Sequence, residues 1–234
     1  MIATGHQPNY LPYVGFFHKI TRCDIFILVD TVQFVKRGTF GWINRNRIRT
    51  AAGRPWLTVP VLTSGKYHQT IIETQIDNSR PWRRKHWQSI LRAYEKTPYF
   101  KHYKIFFEDI YQREWQNLVD LNEVIIRYLI EQFNIKVLIT KTSLLNVQGQ
   151  KADLIIDLCK KVGADTYIHG RHGRDYIDES KFAEHNVKCI RQEFKHPEYK
   201  QSYEPFMPDL SAIDLLFNCG PESAEIIKQA GNFS

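Results

Sequence analysis

Ile2-Ala3-Thr4-Gly5-His6-Gln7-Pro8-Asn9-Tyr10-Leu11-Pro12, followed one helix-length later by Asp24-Ile25-Phe26-Ile27-Leu28-Val29-Asp30, is the stretch that decides the fold. Ile2-Ala3-Thr4 reads as a short strand that breaks at Gly5. The loop after it is stiffened by Pro8 and Pro12, whose rings fix φ. Residues 13–20 then show helical spacing, with Val14, Phe17 and Ile20 on one face and Phe16 beside them. The run 24–30 is almost continuously apolar and is bounded by acids, as expected of a strand buried on both faces. Strand, loop, helix and strand in this order predict a right-handed βαβ unit. The predicted class is therefore α/β, a mostly parallel sheet flanked by helices.

Outward from this unit, 56–62 and 70–76 read as two strands joined by the turn signal Ser64-Gly65-Lys66. Residues 80–94, 104–111 and 115–133 have helical period, so a helical insertion at about 80–133 is expected in the middle of the chain. The α/β rhythm then resumes with strands at 137–139, 166–168 and 187–191. Helices are expected at 152–162, stopped by Gly163, at 180–185, at 211–218 behind an N-capping Ser211, and at 222–229. No repeat or linker composition appears, and a single α/β domain over 1–234 is the expectation.

Net charge is +7, but its distribution matters more than its size. Between residues 31 and 104 stand fifteen Lys and Arg against Glu73, Asp77 and Glu95, a local net of +12, which leaves about −5 for the rest. Such a field favours an anionic partner: a nucleotide-sugar or similar small molecule first, with nucleic acid as a further candidate. A solvated basic face is the plainer alternative. The four cysteines are scattered and form no CxxC pair, which reads as buried reduced thiols. With no signal-peptide pattern at the start and no apolar run of membrane-spanning length, a cytoplasmic protein is expected. Neither an oligomeric state nor a cofactor can be read from the sequence.

In an open parallel sheet, ligands bind beyond the carboxyl ends of the strands, where strand order reverses. That rule gathers His6 and Gln7 after the first strand, Asp30 and Gln33 after the second, Lys141 and Ser143 after the third, and His169, Gly170 and Arg171 after the fourth. His6 is a candidate general base, phosphate contact or hydrogen-bonding clamp; a loop histidine bonded to backbone carbonyls is the plainer reading. Asn9 and Tyr10 join the substrate-binding candidates, Tyr10 as a stacking ring or, equally, as core. Asp30, ending an apolar strand, should emerge at the edge of the core, where it orients an amine, binds a divalent metal, or pairs with Arg45 or Arg47. Trp42-Ile43-Asn44-Arg45-Asn46-Arg47-Ile48 alternates amides and guanidinium groups. It is the strongest anion-recognition element, with Lys36 and Arg37 just before it. His169 and His172 lack an evident third ligand, so no metal site is predicted. No P-loop, GxGxxG, GxSxG or HExxH pattern occurs.

Taken in order, GHQPNYLPYVGFFHKI, DIFILVDTVQFVKR, WINRNRIRT, WLTVPV, ADTYIHGRHGRDYID, HPEYKQ and LSAIDLLFNCGPES resemble the WbqC-like family over nearly the whole chain. The resemblance implies an association with bacterial surface-polysaccharide gene clusters and a role in transferring glycine or another amino acid onto a sugar. It brings no settled set of catalytic residues. Three functions are therefore carried forward. One is an aminoacyl or acyl transferase acting on a nucleotide-activated sugar, with His6 as base and Asp30 positioning the amine. The others are a transferase that modifies nucleic-acid bases and a non-catalytic nucleotide-sugar or nucleic-acid binding module.

Overall fold

A computed structural model describes the chain except for residues 37–40, 171–172 and 174–176. The central strands are β1 (Ile2–His6), β2 (Ile25–Leu28), β5 (Leu138–Lys141), β6 (Thr166–His169), β7 (Lys188–Phe194) and β8 (Gly231–Phe233). They form one sheet in the order β5-β2-β1-β6-β7-β8. All neighbours run parallel except β7 and β8, which pair antiparallel with Gln192 opposite Phe233. From β1 the chain builds outward in one direction through β2 and β5, and in the other through β6 and β7. The reversal of strand order therefore falls between β1 and β6, and both carboxyl ends there carry a histidine, His6 and His169.

Alternation along the strands sorts the side chains onto two apolar layers. Phe26 and Leu28 join a large cluster with Phe16, Phe17 and Ile20 of α1 (Val14–Ile20). Ile27 and Ala3 face the opposite layer, with Ile156 and Leu158 of α6 (Ala152–Val162) and Phe182 of α7 (Glu179–Glu184). Both faces of β2 are thus covered, which is why its sequence reads as an unbroken apolar run. The middle helices α2 (Trp82–Tyr94), α3 (Phe100–Gln112) and α4 (Leu118–Gln132) bury Ile90, Phe107, Leu121 and Leu129 in the same large cluster as α1. Helix α8 (Ala212–Cys219) joins it through Ile213 and Phe217, and starts behind Ser211, whose Oγ accepts from the Ile213 N–H. Each such side chain contributes roughly 1.5–3 kcal/mol by leaving water.

The expected hairpin of 56–62 with 70–76 is reduced to one antiparallel bridge, Val61 opposite Ile76, flanked by the Leu62 N–H donating to the Gln75 carbonyl and the Asp77 N–H to the Pro60 carbonyl. Trp56–Thr58 is a strand, β4, but its antiparallel partner is β3 (Arg45–Arg47), with Arg47 opposite Trp56. Residues 70–74 fold on themselves: the Thr70 N–H and hydroxyl both donate to Glu73 Oε2, and Thr74 Oγ1 donates to the Thr70 carbonyl. These local side-chain bonds compete with a ladder and win. Strand β8 was not predicted, because Gly-Asn-Phe carries no periodicity. Cys23, Cys159 and Cys219 are buried free thiols, and Cys189 is partly exposed. Among the described residues, no helix is long and apolar enough to cross a membrane.

Candidate functional site

The loop after β1 is held from behind by donors on distant elements. Asn122 Nδ2 of α4 donates to the Pro8 and Ile43 carbonyls at 2.7 and 2.8 Å, and Asn46 Nδ2 donates to the Leu11 carbonyl at 2.5 Å. The Tyr10 N–H donates to the Ile43 carbonyl at 3.0 Å. Leu11 is forced into the left-handed region at φ 46°, a conformation costly for a branched side chain, and is fully buried there. The loop is therefore over-determined by packing.

At the front of this loop, His6 packs on Phe16 with ring centroids 4.7 Å apart, and its Nδ1 lies 2.9 Å from the Gln7 carbonyl. A carbonyl only accepts, so Nδ1 carries the proton and Nε2 keeps its lone pair. Desolvation, helped by the charge of Lys19, pushes the imidazole down to about 3, so it is neutral at pH 7. Lys19 is the residue that sequence reading missed. It sits in α1, all seven residues of which are buried, and is itself only 4% exposed. Its Nζ donates to the Gly5 carbonyl at 2.8 Å. No carboxylate among the described residues forms an ion pair with it, and burial lowers its pKa to about 8. A charge in an otherwise apolar helix was the available signal, but a lone lysine in a seven-residue helix reads as an ordinary solvent-facing position.

His169 ends β6 across the reversal. Its Nδ1 lies 3.1 Å from the Gly170 carbonyl, and burial lowers its pKa, followed by the charges of Lys19 and Arg191. Arg191, opposite His169 on β7, has a buried Nε with no hydrogen-bond partner. Gly173 is close behind: a Cβ there would overlap the His169 imidazole, which explains the second glycine of the HGRHG motif. The edge of β1, β6 and β7 thus presents two neutral imidazoles and two cations whose hydrogen-bonding capacity is only partly used. Such an arrangement can hold an anion and accept a proton beside it.

Other predicted residues lie elsewhere. Asp30 does not emerge at the edge of the core. It is fully buried, with Oδ1 accepting from Thr142 Oγ1 (2.8 Å) and the Ser143 N–H (3.0 Å), and Oδ2 from Ser143 Oγ (2.6 Å). It ties the end of β2 to the chain leaving β5 rather than pairing with Arg45 or Arg47, and Ser143 is spent on it. Tyr10 is fully buried, its hydroxyl 2.9 Å from His86 Nδ1 and bonded to the Tyr111 hydroxyl, so its ring belongs to the core. Asn9 is 6% exposed with Oδ1 unpartnered, and Gln7 is half-buried. Gln33 is exposed and donates to the Tyr67 carbonyl.

The Asn44–Arg47 arm splits by face. Asn44 and Asn46 point inward, as 2% and 1% exposure show, while Arg45 and Arg47 bring their guanidinium carbons within 4.4 and 4.3 Å of the Trp56 ring centroid. Trp42 lies beside them, 5.0 Å from Trp56. Lys36 is exposed and Gly170 half-buried, and Arg37 and Arg171 lie outside the described residues. Among the described residues no group of three or more His, Cys, Asp or Glu gathers as a metal site.

Compared with known proteins, residues 7–226 match the WbqC-like protein family. The chain belongs to the WbqC-like family. The chain is also similar to the uncharacterized protein Rv1507c of Mycobacterium tuberculosis (strain ATCC 25618 / H37Rv), 33% identical over 224 residues, which cover 95% of each chain. No solved structure matches. The matched span of this WbqC-like chain includes the His6–Pro12 loop from Gln7 onward, Lys19, and the β6 edge.

Proposed function

We propose that this chain is a transferase that moves an amino-acid or acyl group onto a nucleotide-activated sugar, with the anionic part of the substrate held at the carboxyl ends of β1 and β6. One observation carries the reading: Lys19 is a buried ammonium beside His6 and His169 with a single backbone carbonyl for a partner. An unpaired interior charge costs several kcal/mol, and a substrate phosphate or carboxylate offsets that cost on binding. Neutralising Lys19 also lifts the charge that depresses His6. His6 Nε2 then takes the proton from the attacking amine as the new N–C bond forms and the leaving group departs with its electron pair. Asp30 supports this edge by fixing the neighbouring loop rather than by touching substrate.

The test is equilibrium binding of a panel of nucleotide-sugars to the intact protein and to Lys19→Met. Mass spectrometry of the sugar after incubation with glycine and an acyl-activating nucleotide follows. Binding that falls roughly 50-fold or more in Lys19→Met supports the reading. Unchanged binding removes it.

A second reading, modification of nucleic-acid bases, has its own observation. Arg45 and Arg47 over Trp56, with Trp42 adjacent, form a basic-aromatic ribbon that suits a phosphate backbone with stacked bases. Steep loss of DNA binding with added salt, together with weak nucleotide-sugar binding, favours it.

A further inference from the structure

The surface loop between Leu62 and Gln75 shows apolar side chains to solvent although its backbone is tied down. The Leu62 N–H donates to the Gln75 carbonyl at 3.0 Å, Gln69 Nε2 to the Leu62 carbonyl at 3.1 Å, and Gln33 Nε2 to the Tyr67 carbonyl at 2.9 Å. At its tip Gly65 takes φ 70°, and a Cβ there would meet nothing within 4 Å, so the turn stands clear of the fold. Tyr67 beside it is 82% exposed, and Leu62 and Ile72 are exposed as well.

Leu144 extends this patch from another element. The Asp30 carbonyl accepts from the Ile72 N–H at 3.0 Å, while the Asp30 carboxylate holds Ser143, so Leu144, 72% exposed, emerges one residue from the same anchor. Four of the seven large hydrophobics exposed among the described residues therefore gather here, whereas scattered single ones would need no explanation. The rim is basic. Lys66 stands within the loop, its Nζ donating to the neutral Gln75 Oε1 at 3.2 Å. Lys36 and Lys85, both exposed, share a cavity wall with Val61, the neighbour of Leu62. The nearby carboxylates are already occupied. Glu73 Oε2 accepts from the Thr70 N–H and hydroxyl, and Asp77 is engaged by Ser79 Oγ and Arg80 Nε.

We propose that this patch seats the protein on an anionic bilayer surface, with Leu62, Tyr67, Ile72 and Leu144 entering the headgroup boundary and Lys36, Lys66 and Lys85 meeting lipid phosphates. Charge complementarity selects the occupant, since residues 31–104 carry a local net of +12. Surface binding of this kind adds burial of apolar area to attraction for anionic headgroups, and the patch supplies both. Tyrosine suits the boundary because its ring is apolar and its hydroxyl stays wet. Nucleic acid would use the lysines but leave Leu62, Ile72 and Leu144 in water. A second copy docked face to face would set each lysine of the rim against like charges. The assignment does not depend on the reaction at the β1–β6 edge.

Co-sedimentation of the full chain with vesicles of phosphatidylcholine, with or without phosphatidylglycerol, tests it. Anionic vesicles should bind at least roughly tenfold more tightly than neutral ones, and less so as salt is raised. The double variants Leu62→Ser/Tyr67→Ser and Lys66→Glu/Lys85→Glu each change two exposed side chains. Each should weaken that binding by roughly tenfold or more, while Lys19→Met stays within about twofold. Phosphatidylcholine brominated on its acyl chains, mixed into the anionic vesicles, should quench the emission of Tyr67→Trp beyond that of the unaltered chain, as insertion requires. Absence of vesicle binding, equal binding to neutral and anionic vesicles, full binding by Leu62→Ser/Tyr67→Ser, or no added quenching each overturns the proposal. Duplex-DNA binding or self-association that falls in Leu62→Ser/Tyr67→Ser, while vesicles fail to bind, overturns it in favour of that partner.

Discussion

Asp30 and Lys19 place opposite charges in the interior near the carboxyl ends of neighbouring strands, yet they are treated in opposite ways. Asp30 has three donors on its two oxygens, all from Thr142 and Ser143. Lys19 has one backbone carbonyl and no carboxylate partner among the described residues. A satisfied buried charge is part of the scaffold, and removing it leaves donors stranded. An unsatisfied one lowers stability and is retained because something else completes it. The comparison separates the clamp that shapes the edge from the group to which the proposed function gives a ligand.

The largest expected effect is on the Asp30 side. Asp30→Ala strands the Thr142 and Ser143 donors and should cost about 4 kcal/mol, read as a fall in urea midpoint. An unchanged midpoint would erase the contrast. Next, Lys19 should make stability depend on alkaline pH. Its folded pKa of about 8 lies below the ordinary lysine value of 10.5, so above pH 8 the folded chain holds fewer protons than the unfolded one. Stability should therefore rise between pH 8 and 10.5, by about 3 kcal/mol at most. The same denaturation series on Lys19→Met should be flat across that window.

At neutral pH, Lys19→Met should itself stabilise the fold by about 2 kcal/mol while ligand binding is lost, because a well-packed apolar side chain replaces an unpaired charge. A destabilised Lys19→Met would mean that the ammonium is structural after all. The smallest effect belongs to the ribbon. Trp56→Ala should lower affinity for a polyanion by about 1 kcal/mol and leave nucleotide-sugar binding unaltered. A filter-binding salt series distinguishes the two.

The central fold was legible because its signals are local. The double-faced burial of β2 shows as an apolar run, the helices show their period, and Gly163 and Ser211 mark helix ends as their chemistry requires. His6 and His169 were placed by a topological rule, and the strand order puts both at the reversal. The rule failed for Asp30, since it locates strand ends but says nothing of which carboxylate meets a hydroxyl pair 112 residues away in sequence. It also passed over Lys19, which lies in a helix. The hairpin at 56–76 is cut down to the Val61–Ile76 bridge because Thr70 and Glu73 bond to each other within one turn, a local competition that β-propensity does not weigh.

The family's sequence blocks divide in the same way. Tyr199 and Gln201, from HPEYKQ, both donate to the buried Asp214 of LSAIDLLFNCG, at 2.8 and 2.9 Å, so in this chain these two blocks form one packing unit. The sequence by itself determined the α/β class, the loop after β1, the basic middle of the chain and the family, since each rests on periodicity, composition or motif. Only the tertiary structure decided which polar groups are satisfied. The donors that satisfy Asp30 lie 112 and 113 residues away, and a hydrogen bond across such a separation leaves no trace in the local pattern.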